Sequence, residues 1–448
     1  MDSPTKTNDE PTYETTDHTK SQEAVEKLTS YLSLTTQLDS ESLLRLKEGQ
    51  VAERRTEELE QIGEGFCATI YDFGSTGQVI KQAKELRKFP ELLVDYVAHQ
   101  KVYAAGLHMA LQVCIPHPAE FFRPEQLGEW YNEHRASGKL PDDRTLVSRN
   151  MAVLVSERIP ALPLEIRRAL IEVFCPREQR IAARVIQRNN NCLARLYLGR
   201  RRQNTRVEGG FELRNFEMTL DKMEILNLDP LQYVAPMAEA LAFMHWETKH
   251  DAFDVEFVLA SSPKPTTQTA EWASVKTTRE PIEGSEIQRK AVQVWLLDFN
   301  QVGEITMDNK GVRRAVRGFW DNDPYYPRPT LEEDSHTTEA KLWRKFKQVY
   351  LATSSKILKD DELATTFIEA VELEGKKRLV CAPVLQGPPK ASAGVTMPLR
   401  SSGKKKQRSY VDFDEEKSPL HNRHIYLSLG WPRRQIEGQD NSNFISLK

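Results

Sequence analysis

Two short acidic segments carry the strongest chemical signal in this chain. The first, Lys249-His-Asp-Ala-Phe-Asp-Val-Glu-Phe-Val-Leu259, follows a helical run ending Leu241-Ala-Phe-Met-His245 and runs into apolar residues suited to a buried strand. The second, Val294-Trp-Leu-Leu-Asp298-Phe-Asn300, is an apolar run that stops on a carboxylate at a turn. Hard divalent cations take oxygen ligands, so carboxylates at strand ends can hold such an ion against phosphate groups. Glu256 and Asp298 have positions suited to that task, and Asp251 has one from which to orient or deprotonate an attacking hydroxyl.

A phosphate site also needs close backbone approach and a cation. The stretch Ile62-Gly-Glu-Gly65-Phe-Cys-Ala68-Thr-Ile-Tyr71, followed by Val79-Ile-Lys81, offers both: Gly63 and Gly65 admit a phosphate near the main chain, and Lys81 supplies a point charge. The same stretch also reads as an ordinary turn followed by an exposed lysine. Arg195, Arg200, Arg201, Arg202 and Arg206 could grip phosphate or an acidic partner, or simply line a solvated helix face. Lys404-Lys-Lys-Gln-Arg408 could serve nuclear import or nucleic-acid contact. Trp320 and Asp323-Pro-Tyr-Tyr-Pro327 suit a packed loop, with a substrate platform as the second reading.

The elements that must position these residues follow from periodicity. Residues 1–59 read as a disordered tail, to about Lys20, and a helical arm; residues 60–160 read as a β-rich lobe containing one helix over Phe89–Gly106. Residues 161–382 read as a mainly helical lobe, with helices over Leu164–Leu198, Leu231–Glu247 and Glu339–Leu358 and a flexible insertion at 261–290. Residues 383–448 read as a linker and C-terminal extension.

Whole-chain properties narrow the setting. At 448 residues the chain can bury a large core, and 39% hydrophobic with 28% charged residues is ordinary for a soluble protein. No apolar run is long enough to cross a bilayer, and the polar N-terminus lacks a signal-peptide core, so a cytoplasmic or nuclear protein is expected. Five scattered cysteines without a Cys-x-x-Cys pair fit reduced thiols, and zinc is not an expected cofactor. A net charge of -3 gives no global attraction to nucleic acid, which leaves a protein partner or a nucleotide as the expected ligand.

The segments Ile62–Tyr71, Val155-Ser-Glu-Arg-Ile-Pro160, Cys192–Arg202, Phe211-Glu-Leu-Arg-Asn-Phe216, Met237–Ala242, Asp251–Leu259 and Asn322-Asp-Pro-Tyr-Tyr-Pro-Arg-Pro329 resemble a fungal domain-of-unknown-function family, some of whose members are labelled zinc finger proteins. The likeness covers roughly Glu60–Lys359 and brings no known reaction. More distantly, the same region is similar to the protein-kinase and aminoglycoside-phosphotransferase fold. That similarity implies an α+β, two-lobed molecule with a small β-rich N-lobe and a larger helical C-lobe. It places the hinge at Val155–Pro160, with Glu157 beside the nucleotide, makes Lys81 the phosphate-contacting lysine, and gives Lys81 either Glu91 or Asp95 as helix partner.

Two registers against the kinase His-Arg-Asp loop are open. With His250 as the histidine, Ala252 replaces the aspartate and Phe257 the metal-binding asparagine, and the site is dead. With Asp251 as the aspartate, Glu256 falls at the metal position five residues on, which is the preferred alignment. Ala68 replaces the third glycine of the kinase loop and Asn300 the glycine after Asp298-Phe299. The expectation is therefore a degenerate kinase-like binding or regulatory module with ATP and magnesium as its ligands. An active atypical phosphotransferase using Asp251, Glu256, Asp298 and Lys81, and a nuclear interaction protein working through its basic runs, are the alternatives.

Overall fold

The computed structural model describes residues 13–39, 41–46, 59–136, 151–201, 210–263, 290–331 and 335–380, all within one compact unit spanning Met1–Pro388. Helix α1 (Tyr13–Leu32) starts inside the stretch expected to be a disordered tail. Its Leu28 and Leu32 are buried in the large-lobe core, where Thr29 Oγ1 donates to the Leu226 carbonyl at 2.5 Å and the Tyr233 hydroxyl donates to the Leu32 carbonyl at 2.8 Å. A short helix, α2, covers 41–46.

The small lobe is a five-stranded antiparallel sheet. Strands β1 (Glu60–Glu64), β2 (Ala68–Asp72) and β3 (Gln78–Ala83) form a meander, and α3 (Phe89–Gly106) follows with Pro90 and Glu91 in its first turn, where a missing N–H and a negative charge are tolerated best. The chain then leaves for the other lobe at β4 (Val113–Cys114) and returns through β5 (Pro118–Phe122), α4 (Leu127–Ala136) and β6 (Val153–Glu157). The sheet order is β1-β2-β3-β6-β5. Strand β6 reads Val-Leu-Val-Ser-Glu and is buried on both faces, as a central strand between α3 and α4 requires.

The large lobe is less purely helical than its sequence reads. Within Leu164–Leu198, α5 (Leu164–Phe174) and α6 (Arg180–Val185) give way to a strand, β7 (Ala194–Tyr197), so Arg195 sits in a sheet and not on a helix face. After β8 (Glu217–Thr219) and α7 (Leu220–Ile225) comes α8 (Leu231–Ala242), which continues as one π-helical turn over Phe243–Glu247. Strands β9 (Glu256–Ser261) and β10 (Val292–Leu297) pair antiparallel, and the second sheet runs β4-β10-β9-β7-β8. Ser261, expected in the flexible insertion, ends β9, and Ser262 donates its N–H to the Ala291 carbonyl at 3.1 Å. Residues 264–289 of that insertion, the Lys404–Arg408 run and Ile425–Trp431 lie outside the described residues.

Three helices close the lobe. Asp308 caps α9 (Asn309–Asp321) by accepting from Lys310 N and Gly311 N, and Thr337 caps α10 (Thr338–Ile357) by accepting from Ala340 N. Helix α11 (Glu362–Val380) was not anticipated from sequence. Phe319, Tyr326, Trp343, Phe346, Tyr350 and Phe367 from these elements form one continuous aromatic cluster over α8.

Helix α9 approaches the Asp251 loop through backbone contact. A Cβ on Gly318 would lie 2.5 Å from the Asp251 carbonyl oxygen, and one on Gly311 1.8 Å from that of Thr306. Gly318→Ala is therefore expected to destabilise the fold by about 1–3 kcal/mol, as overpacking against main chain does. Gly128→Ala in α4, where a Cβ meets nothing within 4 Å, should be neutral or slightly stabilising through helix propensity. Urea denaturation of both variants checks the contrast; equal stability of Gly318→Ala and the parent chain would show that α9 can move away from the loop.

Candidate functional site

The site begins with strand register. Gly63 pairs with Ile70, Ile70 with Lys81, and Lys81 with Leu154, so these four positions stand side by side on one face of the small-lobe sheet. Leu154 packs with Leu92 of α3, which identifies this as the face that α3 covers. On α3, Leu92, Asp95, Ala98, His99 and Val102 form the buried stripe, and Asp95 is 2% exposed. Lys81 Nζ reaches Asp95 Oδ2 at 2.5 Å and Asp298 Oδ1 at 2.8 Å. Of the two helix partners expected for Lys81, the structure selects Asp95; Glu91 instead pairs with Lys88 at 3.0 Å.

Burial alone would lower the Lys81 pKa, but the Asp298 and Asp95 carboxylates outweigh it and hold the ammonium well above the ordinary lysine value. Asp95 also accepts from Phe299 N at 3.2 Å through its other oxygen. One carboxylate of the small lobe thus holds both the lysine and the backbone of the segment that carries Asp298. Asp298 itself has φ 66°, and Lys249, Ala252 and Asp254 have positive φ as well, so four strained non-glycine residues cluster in the two acidic loops. Phe299 is fully buried against the His99 ring, with centroids 4.9 Å apart.

Asp251 lies across from this group and is tied down on every side. Its Oδ1 accepts from Gly303 N at 2.8 Å and Phe253 N at 3.1 Å, and its Oδ2 pairs with Arg314 Nε at 2.8 Å. Asp251 N donates to Gly303 O, Ile305 N donates to Lys249 O, and His250 bridges to Glu304, so residues 249–251 and 303–305 form a short ladder. A Cβ at Gly303 would lie 1.6 Å from the terminal guanidinium nitrogen of Arg314, so a side chain there would displace the Arg314 head group. Asp254, in the same loop, accepts from the Gln301 amide.

Glu256 is buried and pairs with Arg195 Nη2 at 2.9 Å, across the β7–β9 register that sets Arg195 opposite Val258. Burial opposes the charge on Arg195, and Glu256 more than restores it, so its pKa is raised. Asp251, Glu256 and Asp298 do not gather around a common point: among the described residues no group of three or more His, Cys, Asp and Glu side chains is placed to hold a metal. Two of the three acids are instead paired with arginines, Glu256 with Arg195 and Asp251 with Arg314. Neither arginine was singled out as a partner for these acids in the sequence, and Arg314 carried no signal at all.

The remaining expected ligands are placed as follows. Gly63 sits at a register shift in β1, where a Cβ would press on Ile70 Cδ1 at 3.2 Å. Gly65 N donates to Ala68 O at 2.9 Å and closes the hairpin. At the hairpin tip, Phe66 lies under Lys88 Nζ, 3.7 Å from the ring centroid, and Glu64 pairs with Lys84. Glu157 ends β6 and accepts from His117 N at 3.0 Å; burial raises its pKa, and its carboxylate serves the β4–β5 connection. Cys67, behind the hairpin, is buried and its thiol is pushed up to about 11.

Two consequences can be measured. Lys81→Met would leave Asp95 and Asp298 facing each other without a cation, which should cost about 3–5 kcal/mol of stability; an unchanged urea midpoint would show the pair to be incidental. Burial lowers His99 from 6.5 to about 4, so between those values the unfolded chain takes up a proton that the folded chain refuses. Stability should therefore fall as pH drops from 6.5 toward 4, with a slope approaching about 1.4 kcal/mol per pH unit for this residue alone. His99→Gln, which keeps a donor for the Pro116 carbonyl, should have a shallower profile than the parent.

Comparisons with known proteins can now be set beside this geometry. Residues 294–362, which span most of β10 and all of α9 and α10, match the DUF3669 family, described as "Zinc finger protein". No curated protein matches the chain. Among solved structures, the GDP and kanamycin complex of APH(2″)-IIIa is 10% identical, with 75% of this chain and 99% of that one covered and a TM-score of 0.19. The GDP complex of wild-type aminoglycoside 2′-phosphotransferase-IIIa is 11% identical, over 76% and 99%, with a TM-score of 0.20. The chain is a two-lobed α+β protein whose residues 294–362 match the DUF3669 family.

Proposed function

We propose that this chain is a degenerate kinase-like module that binds and regulates, without transferring phosphate. One observation carries the reading: each carboxylate that catalysis would need is already neutralised by a cation of the same chain. Asp298 faces Lys81, Asp251 faces Arg314, and Glu256 faces Arg195. Metal-assisted phosphoryl transfer needs carboxylates offered to the ion and a base within reach of the substrate hydroxyl. Here Glu256 and Asp251 are engaged by guanidinium groups and backbone N–H groups, so only Asp298 would remain for magnesium. The residues present do not fit a magnesium site built from several carboxylates.

They fit a nucleotide's phosphates better. Lys81 lies beside the glycine hairpin, and the strain retained at Asp298, Lys249, Ala252 and Asp254 marks loops held in a specific conformation. In the proposed module a nucleotide contacts Lys81 and adds to the joint between the lobes. The alternative of an interaction protein working through basic runs loses support from the arginines themselves: Arg195, Arg200 and Arg201 pair with Glu256, Glu217 and Glu224.

The test is a pair of measurements on the full chain. ATP with excess chelator should raise the melting temperature about as much as ATP with magnesium, through ordinary ligand linkage. Hydrolysis of ATP should not exceed the buffer blank. Magnesium-dependent turnover that disappears in Asp298→Asn would replace this reading with the active phosphotransferase, and absence of any ATP shift would remove the nucleotide and leave a binding module of another kind.

A further inference from the structure

Away from Lys81, a pocket of about 490 Å³ opens between the end of β7, the loop after α9 and the last turn of α11. Its size is in the range of small-molecule sites. The pocket exists because of Gly199, where a Cβ would lie 2.4 Å from the Tyr326 carbonyl oxygen. Without a side chain there, Leu198 N and Gly199 N can donate to the Tyr325 and Pro324 carbonyls at 2.9 and 3.0 Å. This close approach brings Arg200 and Arg201 beside Arg328.

The charges in this pocket do not balance. Arg200 pairs with Glu217, and Arg201 with Glu224 and Glu339. Arg328 donates to the Phe319 and Asn322 carbonyls at 2.7 and 3.3 Å and stacks on the Phe319 and Trp320 rings, but no carboxylate among the described residues forms an ion pair with it. Arg378 covers the same Trp320 ring, at 4.9 Å. Burial, with repulsion from Arg378, lowers Arg328 to about 10, as expected for a guanidinium short of negative charge. The walls are apolar: Leu331 is 59% and Leu379 49% exposed, although large aliphatic side chains gain by being covered.

We propose that this pocket binds a small amphiphilic anion, an oxyanion headgroup of carboxylate or phosphate type on a short aliphatic tail. The headgroup meets Arg328, whose planar donors suit carboxylate and phosphate oxygens alike, and the tail lies against Leu331 and Leu379. None of these residues belongs to the Lys81 network, so the site stands whether or not the chain binds a nucleotide.

Titration calorimetry on the full chain with hexanoate, hexyl phosphate and hexanol tests it. Either anion should bind saturably, and hexanol at least about tenfold more weakly. Preference for one anion, with competition by inorganic phosphate or acetate respectively, identifies the headgroup. Arg328→Met should abolish binding but can also disturb the Phe319–Trp320 packing, so Leu379→Glu is the second variant. It places a negative charge at an exposed wall and should weaken the anions at least about tenfold while the melting temperature stays constant. Equal binding of hexanol, undiminished binding to a folded Leu379→Glu chain, or no binding of either anion at millimolar concentration overturns the proposal.

Discussion

A lysine ammonium with 16% side-chain exposure cannot stand without negative partners, and the joint between the two lobes is built to supply them. Lys81 comes from the third strand of the small-lobe sheet, Asp95 from the buried stripe of α3, and Asp298 from the end of a strand in the other lobe. Strand register and helix phase must both be right for the first two to meet. The third needs a left-handed residue at 298, and the Asp95 carboxylate supports the turn by accepting from Phe299 N. Removing any one of these leaves a desolvated charge behind, so the triad acts as a checkpoint on the assembly of both lobes.

The same rule is applied twice more. Asp251 and Glu256 are 4% and 6% exposed, and each is matched by a guanidinium. A catalytic carboxylate is generally left partly unsatisfied until substrate or metal arrives, which costs stability in the free protein. Arg195 and Arg314 satisfy these two carboxylates, and Gly318 lets α9 close on the Asp251 backbone. In the module proposed above, these pairs favour a settled fold over a reactive one, while the loops keep their left-handed residues.

Much of the architecture was legible because the periodicities are local. The helix over Phe89–Gly106 and those near Leu231 and Glu339 come from apolar spacing alone, and the strand ending at Asp298 from a short buried run. Asp95 was readable in principle as an acid interrupting a core stripe, whereas Glu91, one turn earlier on nearly the same face, was an equal candidate until the position of the helix along the strand was fixed. β7 was misread because Arg195 and its neighbours mimic a charged helix face; their partners, Glu256 and Glu217, are distant in sequence and met only through sheet pairing. Arg314 pairs across sixty-three positions with Asp251, and no local pattern announces such a contact. Sequence shows the acids, while folding decides which cations reach them.

The placement of β4 has a mechanical consequence. The polypeptide passes from large lobe to small before β1, returns at β4, where Val113 and Cys114 pair with Val294 and Trp295, passes out again to β5, and comes back after β6. Proteins that clamp a ligand by swinging one body against another concentrate the rotation in a few hinge residues. The three covalent passages that run through described residues leave no single axis about which to turn, because a rotation that relaxes one passage shears another. For the proposed nucleotide, this means a stiff seat, with selection resting on shape and charge already in place and not on the energy of closing.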